Sequence, residues 1–233
     1  MRTGSTSLTR QLLRVFGEEA VYPNSRHDRD GIANALSVTR LVEQWAVRSG
    51  ELRVIAGHFP LRVAELLGAQ FRTLTVLRHP VERTLSQLRQ YQHSVPEFRG
   101  ASLETIYADR RRYDRIVHNH SMKLFALTTA EVLPHGLRTR VDFTRDRFEQ
   151  AKEQLASVDV IGLQEDYDRF TQDLSHRFGW NLDESERANV TNRTAVHSPL
   201  RERIAEDNAL DMEFYAFAQE LLKRRSSSYR EPR

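Results

Sequence analysis

The chain has 233 residues, 39% of them hydrophobic, enough to enclose one α/β domain around a buried sheet. With 35 Lys and Arg against 32 Asp and Glu the formal net charge is only +3, and most of the positive charge is arginine, suited to bidentate recognition of phosphate, sulfate or carboxylate. There is no cysteine, which excludes disulfides and thiolate metal sites; no apolar run approaches the ~20 residues of a membrane span, and neither a signal peptide nor a basic-aromatic nucleic-acid module is visible. A soluble, cytoplasmic protein with no nucleic-acid partner is therefore expected.

The first eight residues, Met1-Arg2-Thr3-Gly4-Ser5-Thr6-Ser7-Leu8, run straight into a helical pattern that ends at Phe16-Gly17. A glycine turn, N–H groups at a helix start, three hydroxyls and Arg2 together read as a phosphate cradle, although a simple N-cap would use the same residues. The Gly-Lys-Ser/Thr ending of a nucleotide-hydrolysing P-loop is absent, so an anion held without metal is expected. Tyr22 to Asp30 is polar and turn-rich, a loop in which Arg26, His27 and Arg29 either face an anionic acceptor or are merely exposed. A helix follows from Ile32 to Val47, then a short strand, Leu52–Ala56, ending in Gly57-His58-Phe59-Pro60.

The next strand, Leu74–Leu77, ends in Arg78, and Pro80 then opens a helix to about Gln92. Strand-to-helix junctions at the carboxyl edge of a parallel sheet are where α/β proteins bind ligands, so His58 and Arg78 should open onto one cleft. Helices are predicted over Leu103–Ala108, Arg111–Leu127, Arg147–Leu155 and from Phe170 to Phe178. Val158–Gly162 reads as a strand, Pro199 to Arg224 as one last helix, and residues 226–233 as a frayed tail. No internal repeat and no metal-ligand spacing is present.

Two of these stretches resemble the sulfotransferase family, in particular the carbohydrate sulfotransferases and their bacterial relatives. The family's 5′-phosphosulfate loop reads roughly Pro-Lys/Arg-Thr-Gly-Ser/Thr-Thr-Ser/Trp-Leu, and its 3′-phosphate site is an Arg and a Ser eight positions apart, as Arg78 and Ser86 are. The resemblance implies a P-loop-like sulfotransferase fold, a central parallel sheet flanked by helices. It implies 3′-phosphoadenosine 5′-phosphosulfate (PAPS) as sulfuryl donor, with no metal, held by Arg2, Thr3, Gly4, Ser5, Thr6 and Ser7 at one end. Arg78 and Ser86 hold the other end, and Asn192 and Arg193 lie in a segment that folds over the nucleotide.

Asn119-His120-Ser121-Met122-Lys123 resembles a helix lining the family's active site, which makes Lys123 a candidate anion ligand beside Arg26, His27 and Arg29. Gly162-Leu163-Gln164-Glu165 stands in the position of a Gly-Leu-x-Glu signature. His58 is the implied general base and Arg2 an electrostatic clamp on the leaving phosphate, since arginine keeps a charge but cannot donate a proton. The acceptor would be a hydroxyl, less readily an amine, of a carbohydrate or glycolipid. A P-loop nucleotide kinase and a non-catalytic nucleotide-binding protein are the alternatives. In the family a strand precedes the phosphate loop; here the loop begins at Met1, so the fold is expected to lack that strand.

Overall fold

The structure is a computed structural model that describes residues 5–23, 35–109, 113–135, 139–183 and 199–228. Among the described residues the strands pair in parallel, as the sequence implies, but in two separate two-stranded sheets rather than one. In the first, β1 (Val21–Tyr22) pairs with β2 (Val54–Ile55) in the register Val21↔Val54 and Tyr22↔Ile55. In the second, β3 (Leu74–Leu77) pairs with β4 (Val160–Leu163), Leu74 opposite Val160 and Leu77 opposite Leu163. A side-chain clasp pins that register. The Asp159 carboxylate accepts from the Thr73 amide at 2.8 Å and the Thr73 hydroxyl at 3.0 Å, and the Asp159 amide donates back to that hydroxyl at 3.1 Å.

Strand β1 falls where a loop was expected. Two residues carry no periodic signal, and what holds them is burial: Val21 and Tyr22 are fully inaccessible, Tyr22 in an apolar cluster with Val38, Leu41 and Val132. Helix α1 (Ser5–Phe16) stops at Gly17, whose φ of 81° is open to glycine at little cost. Helix α2 (Val38–Arg48) starts later than its apolar pattern, because the Ser37 hydroxyl accepts the Arg40 amide at 3.3 Å. A short helix, α3 (Val63–Leu66), leads to β3, and Pro80 begins α4 (Pro80–Ser94) as predicted.

The two long helices expected over Arg111–Leu127 and Pro199–Arg224 are both broken, by the same contact. Helix α5 (Leu103–Tyr107) is followed by a π-helical stretch, Tyr113–Val117, and α6 (His120–Ala126) starts only after Asn119 has turned left-handed, φ 43° and ψ 45°. Asparagine tolerates that conformation better than most residues. Helices α7 (Thr129–His135) and α8 (Arg145–Ser157) lead to β4, and α9 (Tyr167–Phe178) follows it. At the end of the chain, Asn208 separates α10 (Pro199–Asp207) from α11 (Ala209–Ser228), so residues 226–228, expected to fray, are helical.

Asn119 and Asn208 meet. The Asn119 amide donates to the Asn208 side-chain carbonyl at 2.8 Å, and the Asp211 amide donates to the Asn119 side chain at 3.0 Å. Apolar packing closes the rest. Leu77, Met122, Phe125, Phe148, Ile161 and Phe214 bring β3, β4, α6, α8 and α11 into one core, while Leu85, Leu88, Ile106 and Ile204 bury α4 against α5 and α10. Gly162 is required by that packing, because a Cβ there would overlap the Phe170 ring. No helix among the described residues is long and apolar enough to cross a membrane.

Candidate functional site

Between the two sheets lies a cavity of 200 Å³, lined by β2 and the residues just after it, by all of β3, and by parts of α1 and α6. Most of its wall is apolar. Its polar residues include His58, Arg83, His120 and Ser121. His58 follows β2, its amide donating to the Ala35 carbonyl at 2.9 Å, and Gly57 before it has no room for a Cβ against Ala35 and the Phe59 ring. His58 thus follows a strand's carboxyl end and lines the cavity, whereas Arg78, expected to open onto the same cleft, is not among the cavity's lining residues. Burial, reinforced by the Arg83 guanidinium, lowers its pKa to about 3, so the imidazole is neutral at pH 7.

His120, the first residue of α6, shares this cavity; it lies in the stretch that resembles an active-site helix, from which only Lys123 was singled out. It is 3% exposed, and neither ring nitrogen has a partner among the described residues. Burial holds it well below the ordinary histidine range, with the charges of Arg83, His58 and Lys123 acting in the same direction. Arg83 is 1% exposed and donates to the Val117 carbonyl at 2.9 Å; burial lowers its pKa, while the nearby Asp211 carboxylate favours its charge. Asp211, wholly buried, accepts from the Ser121 amide at 3.0 Å and the Met122 amide at 2.8 Å. Burial raises its own pKa against those contacts.

Arg78 follows β3 directly and is 9% exposed. Ser86, two turns into α4, is 2% exposed, and its hydroxyl has no partner among the described residues. The start of α4 is held from outside by Glu165, which accepts the His79 amide at 3.2 Å and the Tyr215 hydroxyl at 2.8 Å. Glu165 therefore anchors the junction that carries Arg78. Burial alone would raise the carboxyl pKa of Glu82, but its hydrogen bond and ion pair with Arg201, and the charge of Arg78, hold it below the usual value. Arg201 is a cation of this junction that sequence reasoning missed; it sits in the first turn of a helix and no motif marks it.

Lys123 corrects an expectation. It was placed on the active-site side of its helix, where a lysine would be partly solvated, but it is 1% exposed and does not line the cavity, which takes His120, Ser121, Leu124 and Phe125 from the neighbouring positions of α6. Burial lowers its pKa to about 8, opposed by Asp114. Ser7 is 2% exposed within α1, and Ser5 and Thr6 open that helix. The side chains of Ser5 and Thr6, and the whole of Arg2, Thr3, Gly4, Arg26, His27, Arg29, Asn192 and Arg193, lie outside the described residues.

A larger cavity of 410 Å³ opens over β4 between α9 and α11, but its charges are of both signs (Asp166, Asp173, Arg169, Lys223) and it gathers none of the predicted residues. No group of three or more metal-ligating side chains occurs among the described residues. Compared with protein-family models, with the curated proteins and with the solved structures, the chain matches none.

Proposed function

We propose that this chain is a sulfotransferase of the P-loop-like fold, moving a sulfuryl group from PAPS to a hydroxyl, less readily an amine, of a carbohydrate or glycolipid in a cytoplasmic setting. One observation carries the reading. Strands β2 and β3, one from each sheet, are followed at their carboxyl ends by His58 and Arg78, and the helix after Arg78 buries a hydroxyl, Ser86, that lacks a partner among the described residues. A buried hydroxyl two turns into the helix that follows a strand-end arginine suits a phosphate, because a charge-assisted hydrogen bond there is worth ~1.5–3 kcal/mol.

In this reaction the acceptor oxygen bonds to sulfur as the bond from sulfur to the bridging oxygen breaks, and the electron pair leaves with the 5′-phosphate. His58, neutral at pH 7, takes the acceptor's proton. Arg2 and the donors of Gly4 to Ser7 are the groups assigned to the leaving phosphate, where charge develops. Purified protein should transfer labelled sulfate from PAPS to a member of a saccharide and glycolipid panel. In calorimetry it should also prefer 3′,5′-adenosine bisphosphate to adenosine 5′-monophosphate. Equal affinity for the two nucleotides would remove the 3′-phosphate from Arg78 and Ser86.

The low pKa of His58 favours a second reading, a non-catalytic PAPS-binding protein, since an imidazole near pKa 3 is a weak base. A bound polyanion would raise that pKa, however, so the two readings part on turnover. PAPS binding with no transfer to any acceptor on the panel would leave the binding protein.

A further inference from the structure

Helix α10 docks on α4 through Leu200 and Ile204, which share an apolar cluster with Val81, Leu85 and Leu88, and near its end the Tyr107 hydroxyl donates to Asp207 at 3.0 Å. Those contacts fix α10 without an ion pair. Arg201, between the two apolar anchors, nonetheless donates to the Glu82 carboxylate in the first turn of α4. Ser86 stands four positions beyond Glu82, so the two share one face of α4, and the charge of Arg78 reaches the same carboxylate. A carboxylate there repels any phosphate held by Arg78 and Ser86. An acid in the first turn helps a helix through its dipole, but that benefit needs no arginine from a second helix. The pair is also partly open to water, Arg201 29% and Glu82 21% exposed along the side chain, so it can part without opening the core.

We propose that Glu82 is a built-in counter-anion for the 3′-phosphate site: in the empty site it holds Arg201 at the junction, and the incoming phosphate displaces it and takes Arg201 as a further cationic ligand. The inference rests on the reading that Arg78 and Ser86 hold that phosphate. Arg78 is 9% exposed, and a guanidinium so placed is costly to keep charged without an anion nearby, so the carboxylate stabilises the site while no nucleotide is bound. A phosphate brings more charge and more acceptor oxygens than one carboxylate, and the arginine fork fits it in bidentate fashion. Glu82, already partly exposed, then turns to water. The exchange also sets specificity. A nucleotide with a 3′-phosphate can displace the carboxylate, whereas one without it leaves the pair closed.

The test is calorimetry with 3′,5′-adenosine bisphosphate and adenosine 5′-monophosphate on the full chain, alongside thermal unfolding without nucleotide. Glu82→Gln removes the competing charge, so it should tighten bisphosphate binding by ~10-fold, leave the monophosphate unchanged and lower Tm in the same variant. Arg201→Gln should weaken the bisphosphate by ~10–10²-fold, the loss of a charge-assisted bond to phosphate, and again spare the monophosphate. Combined with Glu82→Gln it should still weaken the bisphosphate; no further loss would mean that Arg201 only masks Glu82, and would overturn the exchange. A clamp that merely joins two helices gives another pattern, in which both variants lose Tm and neither separates the two nucleotides, and that result would overturn the inference. If Glu82→Gln does not fold, Arg201→Gln decides alone, since equal effects on both nucleotides also refute it. Wild-type protein that binds both nucleotides equally would remove the phosphate site and the exchange together, whereas a wild-type preference that both variants retain in full would sink the exchange alone.

Discussion

Asn119 and His120 are adjacent, equally buried, and treated in opposite ways. On the Asn119 side the polar groups pair with one another: Asn119 with Asn208 and Asp211, Asp211 with two amides of α6, and the Asn208 side-chain amide with the Ile204 carbonyl at 2.9 Å. On the His120 side two imidazoles face a cavity, and the ring nitrogens of His120 find no partner among the described residues. A satisfied buried network specifies a fold, whereas unsatisfied buried donors and acceptors cost stability. The first region reads as structure and the second as a place for something to bind.

Breaking the satisfied side should have the largest effect on stability. Asp211→Ala strips two amides of their acceptor and leaves Arg83 without its nearby buried carboxylate, a loss of about 3–5 kcal/mol by analogy with broken buried charge pairs. Denaturant unfolding measures it, and a change below about 1 kcal/mol would show that the network is not what holds α6. On the other side, His58→Ala should reduce turnover on a sulfate acceptor by ~10²–10⁴-fold while leaving stability and donor affinity near their starting values. A destabilised protein with normal turnover per folded molecule would make His58 structural instead.

His120→Leu sharpens the contrast further. Replacing an unpartnered buried imidazole by an apolar group of similar size should be neutral or slightly stabilising, which no substitution at Asn119 or Asn208 should be. The pH dependence of stability separates the regions too. His58 and His120 have pKa values lowered by folding, so below pH 6.5 the unfolded chain takes up protons that the folded chain refuses; stability should fall as pH drops from 6.5 toward 3. Asp211, raised by folding, acts in the opposite direction, favouring the fold below its folded pKa. A His58→Gln, His120→Leu double variant should therefore lose less stability between pH 6.5 and 3 than the parent chain in urea melts at each pH. The smallest expected effect is none: excess chelator should leave sulfuryl transfer unchanged, and a rate that returns only with magnesium would favour phosphoryl transfer.

Legibility followed the range of the forces involved. Strand β3, a short run of β-formers with three apolar residues in four, and helix α4, with proline at its first position, are local and were readable to the residue at their starts. The placing of His58 and Arg78 after strands followed from the same local pattern, whereas the single central sheet that the resemblance implies is replaced by two separate two-stranded sheets. Strand β1 was not readable, because two residues held by Val38, Leu41 and Val132 carry no period. The breaks at Asn119 and Asn208 were hidden for another reason: each helix pattern continues through the break, and what interrupts it is a partner about ninety positions away. Lys123 was misplaced because its type suggests solvent, whereas a helix packed on several sides can bury even a lysine stem and head.

The same long-range contact bears on how the chain is made. The acceptor for the first amides of α6 is Asp211, 90 residues downstream of Ser121, and the Arg225 guanidinium that holds the carbonyls of Ala156 and Val158, at 2.7 and 2.9 Å, lies 69 and 67 residues beyond them. Both reach back from the last helix. On the ribosome the start of α6 and the turn into β4 wait, with their backbone groups solvated, until α11 has been synthesised. The cavity wall is therefore completed only after that helix emerges.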